Sequence, residues 1–106
     1  MTRSVDVVIV GANAAAAMAA TLDAIGRGLR VLVVIRLERL GLARRLRQAI
    51  RRAGRVAPRQ LTVLTGVEVV CVDGVKAIEA VVVRHVRTGR LVAFNASAVV
   101  NTPGHA

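Results

Sequence analysis

The sequence predicts an α/β fold, a short parallel sheet with covering helices joined to a three-stranded β-meander, and three observations carry that expectation. Residues 5–36, "VDVVIVGANAAAAMAATLDAIGRGLRVLVVIR", have the rhythm of a strand, a turn, a helix and a second strand. The chain is 55% apolar with one aromatic residue, Phe94, so its core is built from Val, Leu, Ile and Ala, the palette of buried parallel sheets. In the second half the apolar period changes to the short runs and turn signals of strands. The 106 residues have room for one domain, read as a βαβαβ half over 1–66, a meander over 67–97 and a last strand and tail over 98–106.

The elements follow in order. Residues 5–10, VDVVIV, form a β-branched run that Gly11 ends, as in a strand covered on both faces. Asn13 is placed to cap a helix, because its side-chain oxygen accepts a hydrogen bond from an orphan amide one turn in. That helix spans 14–25; its alanines permit close approach to a sheet, and Gly26 and Gly28 stop it. A second strand follows at 31–35. The next helix is expected over 38–53, with Leu40, Ala43, Leu46, Ile50 and Ala53 on one face and Arg44, Arg45, Arg47, Arg51 and Arg52 elsewhere. Gly54 and Pro58 end it. Residues 61–64 make a third short strand, after which "VEVVCVDG", "KAIEAVVVRHVRTG" and "RLVAFNA" read as three strands with turns at Asp73-Gly74 and Thr88-Gly89. A final strand over 98–101 stops at Thr102, Pro103 and Gly104, and the parallel strands are expected in the spatial order 3-2-1-4.

Charge narrows the partners. A net charge of +10 favours phosphates, nucleic acid or other polyanions, and residues 36–59 hold nine Arg against one acid, Glu38. Without interleaved aromatics the arginine helix has nothing on which bases stack, so any nucleic-acid binding is expected to be weak and non-specific. The one cysteine, Cys71, alternates with Val69 and Val67 and is expected as a buried strand thiol; with no internal disulfide open to it, a reducing cytoplasmic setting is the expectation. Asp6 and Asn13 interrupt the N-terminal apolar stretch, whose runs are too short to span a bilayer, so no membrane segment is expected. His85 has no ligand partner at metal spacing, His105 stands near the C-terminus, and no Ser/His/Asp arrangement is visible. Neither a metal site nor a catalytic residue is therefore assigned.

The opening "DVVIVGANAA", the segment 67–96 and the closing "AVVNTPG" together carry a resemblance to a known family. They are similar to the "DVVVVGGGNAA" opening, the "G-T-E-V" and "V-x-V-R…T-G" meander and the "AVVLATGG" ending of the flavoproteins that include fumarate reductase flavoprotein subunits, tricarballylate dehydrogenases and pyridine-nucleotide disulfide reductases. What the chain resembles is their FAD-binding domain, a Rossmann-like fold for FAD or NAD(P). Members are several times longer, and the substrate or capping domain between these pieces is absent here. The resemblance thus implies a truncated or minimal binding fold of a flavoprotein oxidoreductase, in which the flavin does the redox chemistry and this chain alone is not expected to catalyse.

That fold assigns roles to positions. In GxGxxG the first Gly permits the tight turn, the second lets the backbone approach the pyrophosphate and the third lets helix and strand pack closely. Here Gly11 keeps the first role, Asn13 stands at the second and Ala16 at the third, where Ala is tolerated. Gly11, Ala12, Asn13, Ala14 and Ala16 are expected to face the pyrophosphate, at a helix N-terminus that favours anions. The second strand ends in Ile35 and Arg36 where an acid would hold the adenosine ribose; an Arg accepts a 2′-phosphate instead, and Glu38 would serve only if the strand end bends. Thr102 and Gly104 are expected near the far side of the cofactor. Two readings stay open: a dinucleotide-binding domain with weak affinity, completed by a partner chain or a second copy, and a small basic binding or assembly module without cofactor. In the second, the turn at Gly11 is only a joint between a strand and a helix.

Overall fold

The computed structural model describes residues 3–102. Its elements are β1 (Arg3–Ser4), β2 (Val7–Gly11), α1 (Ala14–Gly26), β3 (Val31–Ile35), α2 (Leu42–Ala53), β4 (Leu61–Thr65), β5 (Val67–Asp73), β6 (Ala80–His85), β7 (Leu91–Asn95) and β8 (Ala98–Thr102). Strands β4, β3, β2 and β8 form one parallel sheet in that spatial order, which is the expected 3-2-1-4. Strands β5, β6 and β7 form the antiparallel meander, to whose edge β1 adds in parallel through Arg3 and Ser4.

Alternation along the parallel strands creates two cores. Val7, Ile9, Val31, Val33, Ile35 and Val63 point to one face and pack with Ala17, Ala24 and Ile25 of α1 and Leu46 and Ile50 of α2. Val8, Leu32 and Val34 point to the other face and meet Val67, Val81, Val83 and Phe94 of the meander. The molecule is therefore three layers: helices, parallel sheet, meander. Covering both faces is what lets strands this uniformly apolar exist.

Two cross-links fix the layers at the ends of the strands. Asp6 accepts the backbone amide of Arg30 at 2.7 Å and faces its guanidinium at 3.4 Å, which pins the start of β2 to the start of β3. The buried Gln60 donates to the carbonyls of Ile25 and Leu29, each at 3.0 Å, and accepts from the amide of Ala57 at 2.9 Å. The end of α1 is thereby tied to the approach to β4.

Several sequence expectations need correction. Helix α2 begins at Leu42 and not at residue 38, because Gly41 takes a left-handed φ of 76° and breaks the helical path. Leu40 is consequently fully exposed in the preceding loop, and Ala53 is exposed too, so the buried face rests on Leu46 and Ile50. Between β5 and β6 the connection is a loop over 74–79, not a two-residue turn; it closes through Glu79 N–H to the Asp73 carbonyl at 2.8 Å. Cys71 is exposed, not buried. A β-bulge between Val69 and Cys71 inserts an extra residue, so Val69 pairs with Val83 but Cys71 pairs with Val82 on the outer face. Past the bulge the alternation is reversed.

Candidate functional site

Strand β2 ends where α1 begins, and the junction is tight. A Cβ on Gly11 would stand 2.9 Å from Ala17 Cβ and 3.0 Å from the Asn13 carbonyl oxygen, so only glycine lets this strand and helix approach so closely. Asn13 takes an extended conformation, φ −150°, and its Oδ1 accepts from the Ala16 amide at 2.9 Å. The expected N-cap is thus present. It satisfies one of the orphan donors of the first turn and leaves the amides of Ala14 and Ala15 without an intrahelical partner.

Over this junction lies an open cleft of 740 Å³. Its floor is the C-terminal edge of the parallel sheet: Gly11 at the end of β2 and Ala12 after it, Arg36 after β3, and Asn101 and Thr102 at the end of β8. Gly11 and Thr102 are direct partners in the ladder, and the Thr102 hydroxyl donates to the Val10 carbonyl at 2.9 Å. Val67, Val69 and Val72 of the meander and Val99 of β8 give it an apolar wall. Chain connections leave β2 toward β3 and β4 on one side and return to β8 on the other, so the cleft stands at the switch point of the sheet, where ligands bind in open α/β folds.

Of the residues the sequence singled out, Gly11, Ala12, Arg36 and Thr102 line the cleft; Asn13, Ala14 and Ala16 belong to the adjoining first turn and do not line it. Gly104 lies outside the described residues. Glu38 does not reach the cleft. Its side chain folds over Gly66, where a Cβ would stand 2.8 Å from its carboxylate, and it lines a second cleft of 610 Å³ beside Arg39, Arg44, Arg47 and Arg87.

Sequence reasoning missed Glu68. This carboxylate from β5 lines the cleft, 3.7 Å from Arg36 Nε, and bonds closely to the Arg84 guanidinium across the β5–β6 pair. The Arg84 hydrogen bond, with the charges of Arg84 and Arg36 adding to it, holds the Glu68 carboxyl below the usual carboxylate range. The only available signal was its place two residues into a strand that follows a glycine turn, which does not distinguish it from any surface acid. The described lining offers a guanidinium, a carboxylate, a hydroxyl, a carboxamide, backbone amides and an apolar wall, groups suited to holding a ligand. Among the described residues no group of three His, Cys, Asp or Glu could hold a metal ion, and no helix is long and apolar enough to cross a membrane.

No protein-family model matches this sequence, and no curated protein matches it. Solved structures do. The thioredoxin reductase of Giardia duodenalis superposes with a TM-score of 0.71 at 16% identity, over 98% of this chain and 32% of that one. The thioredoxin reductase of Streptococcus pyogenes gives 0.66 at 20% identity, over 97% and 32% of the two chains. L-proline dehydrogenase from P. horikoshii gives 0.64 at 20% identity, over 97% and 23%. The chain thus spans a third or less of these enzymes, and at such identities the likeness is one of fold: a Rossmann-like α/β unit with a β-meander, the fold that the sequence predicts.

Proposed function

We propose that this chain is a minimal dinucleotide-binding domain of the flavoprotein oxidoreductase type, with its ligand in the cleft over Gly11. The observation that carries this reading is the position of that cleft, at the switch point of a 3-2-1-4 parallel sheet and beside the turn that leads into α1. The residues present fit the adenosine and pyrophosphate end of such a ligand. Gly11 and Ala12 offer backbone and one methyl to the cleft, so phosphate oxygens would approach the chain there, next to the first turn of α1. Arg36 is assigned to the ribose; β3 ends without an acid, while Glu68 of β5 stands 3.7 Å from the Arg36 guanidinium, and a 2′-phosphate that takes over this guanidinium would favour NADP over NAD or FAD. Thr102, at the end of β8, is assigned to the far half of the cofactor.

When bound, the nicotinamide or flavin supplies the redox chemistry, and a partner chain or further domain positions the substrate. The residues here bind and orient. Asn13 weakens the grip, since its carboxamide occupies the Ala16 amide and puts side-chain atoms where glycine would leave the backbone open. Calorimetric titration with NADP, NAD and FAD tests the reading. The parent should bind NADP weakly and in preference to NAD, and Arg36→Glu should reverse that order, because a carboxylate accepts from a ribose hydroxyl and repels a phosphate. If neither protein binds any of the three while both remain folded, the dinucleotide reading is wrong.

A further inference from the structure

Helix α2 carries unfavourable charge in its first half, although Arg51 and Arg52 in its last turn suit the macrodipole. Its first turn contains no acid and begins a run of arginines, Arg44 and Arg45, at the end of the helix where the macrodipole disfavours cations. Arg47 stands three residues from Arg44 and four from Arg51, and like charges at these spacings repel along a helix face. None of them has a carboxylate within 4.0 Å: among the described residues such ion pairs engage only Arg27, Arg30, Arg36 and Arg84. The apolar side of α2, Leu46 and Ile50, is buried on the sheet, so the outward side is a stripe of guanidinium groups with no large apolar residue within the helix to interrupt it.

We propose that this face of α2 docks on duplex nucleic acid through its phosphates, without reading sequence, at a surface separate from the Gly11 cleft. The match is one of opposite charge along a shared length, with five arginines on α2. Twelve helical residues span about 18 Å, a length over which a duplex presents roughly ten phosphates. A membrane surface fits less well, because interfacial helices sink an apolar face into lipid and here that face is covered by the sheet. A protein partner fits less well too, since the stripe has none of the aromatic anchors around which protein interfaces dehydrate. The absence of aromatics also removes base stacking, which favours duplex over single strands.

The test is fluorescence anisotropy of a labelled mixed-sequence duplex of about 20 base pairs, titrated with the whole chain between roughly 50 and 200 mM salt. Arg45→Gln combined with Arg52→Gln removes two exposed charges of α2 that line neither the Gly11 cleft nor the cleft beside Glu38. Arg3→Gln combined with Arg90→Gln removes two exposed charges on the meander side as a matched control. The parent should lose affinity at least tenfold over that salt range, and the α2 pair should reduce the slope of log affinity against log salt by about two while the control pair leaves it nearly unchanged. Circular dichroism establishes that both variants are folded. Three results would each overturn the proposal: no binding at the lowest salt, an equal loss in the control pair, or tighter binding of the parent to phosphatidylserine vesicles than to the duplex. An unchanged NADP titration in the α2 pair separates this surface from the cleft, so either reading can fail alone.

Discussion

As the cap of α1, Asn13 satisfies the Ala16 amide at 2.9 Å; on the proposed reading its side chain would also stand where a pyrophosphate approaches the backbone. Asn13→Gly should therefore strengthen binding of an adenine dinucleotide, while a glycine cap costs only up to about 0.5 kcal/mol of stability. Titration calorimetry and urea denaturation of the same variant measure the two effects independently. Glu68 and Asp6 are the two carboxyls that the fold holds below their ordinary range, so both are expected to contribute to the response to acid. Arg84 chiefly lowers the first and the Arg30 amide chiefly lowers the second, each beneath its ordinary value. A carboxyl lowered in the folded state contributes stability that is complete above the unfolded value, near pH 4, and is lost as pH falls through the folded one. Urea midpoints should thus decline from about pH 5 downward, and Glu68→Gln should flatten part of that decline. A variant with the parent's full acid dependence would show that the Arg36–Glu68–Arg84 group contributes nothing in solution.

At the scale of elements, the connection between α1 and β4 rests on one buried side chain. Gln60 bonds two carbonyls and one amide, so Gln60→Leu leaves the Leu29 carbonyl and the Ala57 amide without this partner and the Ile25 carbonyl with the Gly28 amide alone, and should cost about 1–3 kcal/mol, read from urea denaturation. A change below about 0.5 kcal/mol would mean that water replaces the side chain without loss. Gln60 also marks where sequence ceases to inform. The strands at 31–35 and 61–65 and the first helix were legible because apolar period and capping residues are local signals. A glutamine that reaches back to residues 25 and 29 is a long-range contact with no local signature. The early start expected for α2 failed because Gly41 sits inside an apolar pattern that continues across it, and the exposure of Cys71 was hidden because a bulge reverses alternation without changing composition.

At the scale of the whole molecule, the candidate site belongs to no single element. Gly11, Arg36 and Thr102 stand at the ends of three different strands and are neighbours only because the sheet runs in the order β4, β3, β2, β8. The strand-turn-helix signature made that half of the cleft legible. Its other wall, Val67, Glu68, Val69 and Val72, comes from the meander, whose packing across the sheet no short-range pattern encodes. The central claim is that a dinucleotide binds where these two parts meet, and amide chemical-shift mapping on the ¹⁵N-labelled protein tests it most directly. On titration with NADP, the amides of Gly11, Ala12, Ala14, Ala15, Arg36 and Thr102 should shift together and saturably, while those of Arg51 and Arg52 on α2 stay in place. Shifts confined to the arginine helix, or none at the strand ends, would contradict the account.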